Sequence, residues 1–178
     1  MKLVAFLRAI NVGGHTVKMD VLKKHFEAMG FKNVETFIAS GNVIFDGTRQ
    51  PVEVLEKKIE AVLLKTLGYE VVTFIRTVAE VAAVAKYAAF PDALLKKAGA
   101  YNVAFLKAPL DAAGKKLLTT FKTDIDDFHT HGCELYWLCK TRQSDSKFSN
   151  VRFEKGLKVS ATFRGINTIH RLMAKYPV

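Results

Sequence analysis

Apolar residues in the first half of the chain alternate between short continuous runs and stripes at helical spacing. Residues 3–7 are apolar at every position, a pattern typical of a strand that is covered on both faces. Met19, Leu22 and Phe26 recur at helical spacing, and Pro51 suits the first residue of a second helix. The pattern predicts strands at 3–7, 34–38, 42–45 and 70–75, and helices at 19–29 and 51–67.

The second half repeats this order of elements after a connecting helix. Thr77 and Glu80 have the spacing of a capping box, so we expect a helix from 77 to about 86. Pro109 and Asp111 open a later helix, and Gly156 is expected to close another. Strands are predicted at 102–106, 126–131, 134–139 and 157–162, and helices at 109–121, 144–155 and 166–176.

Strand, helix, strand, strand, helix, strand therefore occurs twice, which predicts an α+β protein. The expected architecture is two tandem ferredoxin-like βαββαβ units with antiparallel sheets and an extra C-terminal helix. The predicted domains are a ferredoxin-like unit at 1–76, a helical connector at 77–99, and a second ferredoxin-like unit with the terminal helix at 100–178.

The net charge changes the picture, because +10 on 178 residues favours an anionic partner. Residues 1–76 carry +3, residues 77–139 are neutral, and residues 140–178 carry +7. The last segment also holds enough apolar residues to fold, so we expect a folded basic face there. With 49% hydrophobic and 25% charged residues, the composition excludes disordered and fibrous classes.

Cysteine use and apolar run lengths indicate a cytoplasmic protein with no membrane partner. Cys133 and Cys139 are too few for a disulfide scaffold and lie in an apolar stretch, so buried thiols are expected. The apolar run before Arg8 is too short for a signal peptide. No stretch approaches the roughly 18 apolar residues of a membrane span.

The strongest candidate site follows the first predicted strand and contains Arg8, Asn11, Gly13, Gly14 and His15. A glycine pair between a strand and a helix can direct backbone N–H groups at an anion, and an arginine offers a bidentate fork to phosphate or carboxylate. The alternative is a plain glycine turn in which the asparagine bonds to backbone. The spacing matches neither a P-loop nor the dinucleotide fingerprint.

Ser40 and Asn42 flank Gly41 between two predicted strands. They would form a polar cluster near Arg8, because the two segments belong to adjacent central strands of a βαββαβ sheet. The alternative is a hairpin turn, where these residue types are expected for backbone reasons. Asn42 and Ile44 also occupy positions at which RNA-recognition modules carry exposed aromatic rings, which argues against sequence-specific RNA binding.

The C-terminal candidates are Lys147, Arg164, Asn167 and Thr168. The spacing of Arg164 and Asn167 echoes that of Arg8 and Asn11, so the two motifs would face a common pocket if the echo reflects a repeat. The alternative is a helix cap beside a solvated charge. A metal site is not assigned: an uninterrupted strand would align His129, His131 and Cys133 on one face, but Gly132 is expected to turn the chain between them.

Several motifs resemble a bacterial family, the domain of unknown function 1697 family. Residues 7–14, Leu-Arg-Ala-Ile-Asn-Val-Gly-Gly, resemble its Leu-Arg-Gly-Ile-Asn-Val-Gly-Gly opening, and residues 40–45 resemble its second motif. Residues 146–147 and 162–168 resemble its C-terminal blocks. Ala9 replaces the usual glycine, and Phe163 and Gly165 stand where the family tends to have threonine and asparagine. The resemblance implies the α+β fold and no activity.

We therefore expect a protein that binds a small anionic ligand bearing phosphate or carboxylate. One alternative is an enzyme acting on a phosphorylated or acyl substrate, with His15 as the base. The other is nonspecific nucleic-acid or polyanion binding through the basic C-terminal face. The sequence assigns no catalytic residue, cofactor, metal or oligomeric state. The ligand-binding candidates are Arg8, Asn11, Gly13, Gly14, His15, Ser40, Asn42, Lys147, Arg164, Asn167 and Thr168.

Overall fold

Two four-stranded antiparallel sheets and seven α-helices make up the protein, and the computed structural model describes residues 1–178. The predicted α+β class is confirmed. The first elements are β1 (Lys2–Leu7), α1 (Met19–Ala28), β2 (Glu35–Phe37), β3 (Asn42–Asp46), α2 (Val52–Leu67), β4 (Thr73–Thr77) and α3 (Val78–Lys86). The later ones are α4 (Asp92–Leu95), β5 (Ala100–Leu106), α5 (Ala112–Thr119), β6 (Asp126–His131), β7 (Glu134–Cys139), α6 (Asn150–Leu157), β8 (Ala161–Gly165) and α7 (Ile166–Lys175).

The chain divides into two compact units. Unit 1 comprises Met1–Ala83 and Leu172–Val178, and unit 2 comprises Val84–Arg171. The first sheet, in unit 1, has the strand order β2-β3-β1-β4. The second sheet, in unit 2, has the order β6-β7-β5-β8. None of the helices is long and apolar enough to cross a membrane.

The core of unit 1 lies between its sheet and the helices α1 and α2. Leu3, Ala5 and Leu7 of β1 belong to one buried cluster with apolar residues of α1 and α2, such as Phe26 and Ile59. The alternate β1 residues at 4 and 6 are buried too, so both faces of this strand are covered. This explains the unbroken apolar run, because a strand buried on both faces has no polar side.

Aromatic rings dominate the core of unit 2. Phe148 lies 4.8 Å from Trp137 and 4.7 Å from Phe128, measured between ring centroids in edge-on geometry. Phe163 and Phe153 meet at 6.1 Å, also edge-on. Edge-on pairs at these separations are favourable beyond the area they bury. Phe163, which departs from the family pattern, is partly buried and packs against this core.

The capping box at the start of α3 is confirmed. The Thr77 N–H donates to Glu80 Oε2 at 2.7 Å, and the Glu80 N–H donates to Thr77 Oγ1 at 3.1 Å. Two backbone donors at the helix start are thereby satisfied by side chains, as the spacing of the two residues predicts.

The helix predicted at 144–155 is present, but its predicted start is wrong. Residues Gln143–Asp145 form a single 3-10 turn, and α6 begins only at Asn150. Ser149 supplies the N-cap, because its side chain accepts the Arg152 N–H, and Gly156 lies inside the helix instead of closing it. The following strand is correspondingly displaced, from the predicted 157–162 to 161–165, and β4 lies at 73–77 instead of 70–75.

Candidate functional site

Residues 8–18, here called the glycine loop, connect β1 to α1 and contain the first sequence motif. Asn11 clamps the loop with both ends of its side chain. Its Nδ2 donates to the Ala39 carbonyl at 2.9 Å, and its Oδ1 accepts the Val17 N–H at 2.6 Å. Asn11 therefore bonds to backbone, as the alternative interpretation of a glycine turn expected.

The two glycines form the exposed tip of the loop. Gly13 and Gly14 have φ angles of +64° and +84°, in the left-handed region that favours glycine. The His15 N–H donates to the Val12 carbonyl at 3.2 Å, whereas the Gly13 and Gly14 N–H groups have no acceptor within the protein. Two exposed amides at adjacent positions are thus available to an outside acceptor.

A stacked pair of aromatic rings holds the glycine loop in place. The imidazole of His15 lies parallel to the ring of Tyr69, with 3.7 Å between centroids. The Tyr69 hydroxyl donates to the Ile10 carbonyl at 2.9 Å, and burial raises the pKa of that hydroxyl. One tyrosine therefore fixes the loop backbone and the histidine ring together.

Arg8 begins the loop, directly after β1. Its backbone N–H donates to the Val72 carbonyl at 2.9 Å, which extends the pairing of β1 with β4 by one position. The residue is half-buried. Arg8 is therefore held at the base of the loop.

The second motif lies against the first. Asn42 is fully buried, and its Nδ2 donates to the Phe37 carbonyl at 2.8 Å and to Ser40 Oγ at 2.9 Å. The Leu7 N–H donates to the Gly41 carbonyl at 2.8 Å. A Cβ on Gly41 would come within 2.6 Å of Ile10, so only glycine allows this approach. The motifs at 8–15 and 40–42 are thus brought together within unit 1.

The remaining candidates belong to unit 2. Arg164 is buried inside β8, so a helix cap with a solvated charge is the wrong description of it. Its Nη1 donates to Thr162 Oγ1 at 2.8 Å and to the Phe163 carbonyl at 2.9 Å, and burial lowers the pKa of the guanidinium to about 10. Asn167 and Thr168 lie in the first turn of α7, and Lys147 is exposed in the segment before α6.

The internal repeat differs from the echo between Arg8 and Arg164. Arg164 pairs with Val103 of β5, and Arg76 pairs with Val4 of β1, so Arg164 and Arg76 are equivalent. Both arginines donate through Nη1 to the carbonyl of the preceding residue. The sequence analysis did not identify Arg76. The signal that could have found it is the recurrence of arginine near the end of the fourth strand of each unit, two residues before the next helix.

The structure arranges no group of three or more histidine, cysteine, aspartate or glutamate side chains to hold a metal ion. His129 Nε2 lies 2.8 Å from the Tyr87 hydroxyl, and the His131 ring stacks on the same tyrosine at 3.9 Å. Cys139 is buried as expected, and Cys133 is partly exposed. The two histidines thus serve in packing around one tyrosine.

The fold and the loop define an α+β protein of two four-stranded antiparallel sheets with a glycine loop after its first strand. The chain belongs to a family described as protein of unknown function (DUF1697), whose model matches residues 1–136. The resemblance at the first two motifs is thereby confirmed. The C-terminal blocks at 146–147 and 162–168 lie beyond the matched residues.

A solved structure supports the fold. The conserved bacterial protein SP0830 from Streptococcus pneumoniae is similar over 96% of each chain, with a TM-score of 0.68 and 20% sequence identity. At that identity the likeness concerns the fold alone. No curated protein matches the chain.

Proposed function

We propose that the glycine loop binds a small anion bearing phosphate or carboxylate. The observation that carries this proposal is the pair of exposed amides at Gly13 and Gly14, which have no acceptor within the protein. Adjacent backbone N–H groups in a glycine turn form a concave site suited to anionic oxygens. Asn11 and Tyr69 hold the loop in place, which lowers the entropy lost on binding.

Arg8 would add the positive charge that the amides lack. It sits at the base of the same loop, and a guanidinium can bond two oxygens of one phosphate or carboxylate. His15, which directly follows Gly14 in the sequence, would be a further contact to the ligand. The roles of Ser40, Asn42, Lys147, Arg164, Asn167 and Thr168 in ligand binding stay predictions.

Titration with inorganic phosphate, followed by amide NMR shifts, tests the proposal. The largest shifts are expected at the Gly13 and Gly14 amides, and a thermal-shift panel of phosphates, nucleotides and carboxylates would rank the ligands. Arg8→Met should weaken phosphate binding at least tenfold. Arg49→Met is the matched control, because Arg49 is an exposed arginine of the same unit outside the loop.

The NMR spectrum of Arg8→Met also shows whether the variant remains folded, which separates lost binding from lost structure. Equal phosphate affinity in Arg8→Met and Arg49→Met would contradict the role of Arg8. Shifts confined to residues outside 8–18 would contradict the glycine loop as the binding site.

We propose as a second candidate that unit 2 binds polyanions nonspecifically. Its C-terminal part exposes a set of basic side chains while burying only Arg164. The exposed ones are Lys140, Arg142, Lys147, Arg152, Lys155, Lys158 and Arg171. Binding of heparin or RNA should weaken steeply as salt rises, because counterions are released on contact. Salt-independent binding, or none at low salt, would dispose of this candidate.

We further propose that each unit is ferredoxin-like, and that the protein is cytoplasmic. The order βαββαβ in each unit and the strand orders β2-β3-β1-β4 and β6-β7-β5-β8 support the first point. Two free cysteines support the second. The division at 1–76, 77–99 and 100–178 and the enzyme alternative stay predictions.

A further inference from the structure

The edges of the two sheets differ in how they are protected. The Arg8 N–H donates to the Val72 carbonyl, so the even-numbered residues of β4 form the hydrogen bonds to β1. The N–H groups of the odd-numbered residues Thr73, Ile75 and Thr77 therefore point away from β1. Three glutamate side chains accept hydrogen bonds from these outward N–H groups, at 2.7 to 2.9 Å. They are Glu60 on Thr73, Glu56 on Ile75 and Glu80 on Thr77. The β4 edge is therefore closed.

Two further edges are protected in other ways. At β8, both outward backbone groups of Ala161 are occupied by α6 side chains. Its N–H donates to Glu154 Oε2 at 3.3 Å, and its carbonyl accepts Asn150 Nδ2 at 2.9 Å. At the opposite edge of the first sheet, β2 is only three residues long. Short strands and side-chain caps are the usual means of preventing an edge from pairing with another chain.

The β6 edge is open by comparison. The Lys140 N–H donates to the Ile125 carbonyl at 2.8 Å, so odd-numbered β6 residues bond to β7 and even-numbered ones face outward. The Phe128 N–H donates to Oδ1 of the Asp127 side chain at 2.9 Å. The Phe128 carbonyl and both backbone groups of Thr130 have no partner within the protein. This leaves two acceptors and one donor along the middle of a six-residue edge strand.

A groove of about 330 Å³ runs between this edge and α5. Leu118 and Phe128 supply apolar surface, while Lys115 and Lys122 supply positive charge. Lys122 is paired with Asp127 at 3.4 Å, so the Asp127 charge is balanced and that of Lys115 is in excess. The groove therefore combines apolar surface, net positive charge and unpaired backbone groups.

We propose that the outer edge of β6 accepts an extended acidic segment of a partner protein as a fifth strand of the second sheet. Backbone bonds to Phe128 and Thr130 would hold the segment, since strand addition gains its affinity from main-chain hydrogen bonds. Alternate side chains of the segment would enter the groove beside Lys115. A second copy of this chain is disfavoured as the occupant, because each copy carries a net charge of +10.

The test uses a fluorescent peptide that alternates glutamate with valine and threonine, and a second peptide with lysine in place of glutamate. The acidic peptide should bind the full-length protein at least tenfold more tightly than the basic one and should shift the Thr130 amide by NMR. Lys115→Glu should weaken its binding at least tenfold. Lys97→Glu, an exposed lysine of the same unit outside the groove, should leave it unchanged.

Thr130→Pro supplies a second variant, because the Thr130 N–H is not part of the β6–β7 ladder and proline is tolerated at such edge positions. It should abolish the binding of the acidic peptide while the β7 amides remain native-like. Failure of the acidic peptide to bind at millimolar concentration, equal binding of both peptides, or shifts away from β6 would overturn the proposal. A dimer in light scattering that Thr130→Pro dissociates would assign the edge to a second copy and would overturn it as well.

Discussion

Ala9 holds a backbone conformation that suits glycine. Its φ is +54°, where the Cβ of an L-residue crowds the following carbonyl oxygen. The family that the chain resembles has glycine here. We expect Ala9→Gly to stabilise the protein by up to about 1 kcal/mol, the relieved strain being offset in part by the greater flexibility of glycine in the unfolded chain. Urea denaturation measures the difference.

The control for this substitution is Ala61→Gly. Ala61 is exposed within α2, where glycine costs about 1 kcal/mol relative to alanine. The two alanine-to-glycine changes should therefore act in opposite directions. A loss of stability in Ala9→Gly as large as that in Ala61→Gly would show that the strain at residue 9 is negligible.

Tyr101 carries a buried hydroxyl with no hydrogen-bond partner. Burial, with a smaller contribution from Tyr87, raises its pKa to about 12. A tyrosine in the unfolded chain ionises near pH 10, so the unfolded state binds fewer protons between pH 10 and 12 and stability falls across that range. Tyr101→Phe should be neutral or stabilising at pH 7 and should remove this part of the alkaline loss, as measured by denaturation at several pH values.

Tyr136→Phe is the matched variant, because the Tyr136 hydroxyl donates to the Val84 carbonyl at 3.3 Å. Its loss should cost about 0.5–1.5 kcal/mol at pH 7. If Tyr101→Phe destabilises the protein as much as Tyr136→Phe does, the Tyr101 hydroxyl has a partner in solution.

At the scale of elements, a buried carboxylate organises the segment before α6. Asp126 is 1% exposed and accepts Trp137 Nε1 at 2.9 Å, Ser146 Oγ at 2.8 Å and Thr123 Oγ1 at 2.9 Å. Ser146 Oγ in turn accepts the Phe148 N–H at 3.0 Å. These bonds hold residues 146–148 against the second sheet, which accounts for the start of α6 at Asn150 in place of the predicted residue 144.

Ser146→Ala should cost about 1–3 kcal/mol, because the buried carboxylate loses one of its donors and the Phe148 N–H loses its acceptor. Trp137 is the only tryptophan of the chain and bonds to the same carboxylate, so its fluorescence should change with the substitution. Ser144→Ala, at an exposed position in the 3-10 turn, should change stability by less than about 0.5 kcal/mol. Identical spectra and stabilities for the two variants would contradict this role of Ser146.

Elements with a local signal could be predicted from the sequence. The α2 helix ends at Leu67, as predicted, with Gly68 as a left-handed cap at a φ of +83°. The capping box of α3 is also bonded as predicted. The start of α6 depends on contacts distant in sequence. Ser146 bonds to Asp126, twenty residues earlier, and no local pattern between 144 and 155 encodes that partner.

The candidate site also has one feature that could be predicted from the sequence and one that could not. The contact between the glycine loop and residues 40–42 could be predicted, because βαββαβ connectivity makes β1 and β3 neighbours. The burial of Arg164 could not, because it follows from a displacement of β8 by several residues relative to the predicted strand. A one-residue shift already exchanges the two faces of a strand, so side-chain placement is more sensitive than element order.

At the scale of the whole molecule, the chain returns at its end to the unit in which it began. Residues Leu172–Val178 belong to unit 1, where Leu172 and Tyr176 are buried. The Tyr176 hydroxyl donates to Glu35 Oε2 at 2.5 Å, and Lys175 Nζ lies 3.2 Å from the same oxygen. The last turn of α7 is thereby attached to the edge strand β2.

This attachment makes a pH-dependent contribution to stability. The hydrogen bond from Tyr176, followed by that from Lys175, lowers the pKa of Glu35 below its ordinary 4.5. A carboxyl with a lowered folded pKa adds stability that is present above pH 4.5 and is lost as the pH falls through the folded pKa. Because the Glu35 side chain is 44% exposed, we expect the charge pair itself to contribute no more than about 1 kcal/mol.

Tyr176→Phe should raise the pKa of Glu35 towards its ordinary value and lower stability at pH 7, with the difference from the parent protein shrinking in acid. NMR titration of the Glu35 carboxyl measures the first effect, and denaturation at pH 7 and pH 3 measures the second. Lys175→Met, which keeps the hydroxyl donor, should shift the pKa less than Tyr176→Phe, since the tyrosine bond is the larger cause. An unchanged Glu35 pKa in Tyr176→Phe would mean that the end of α7 is detached from β2 in solution, and that residues 172–178 do not complete unit 1.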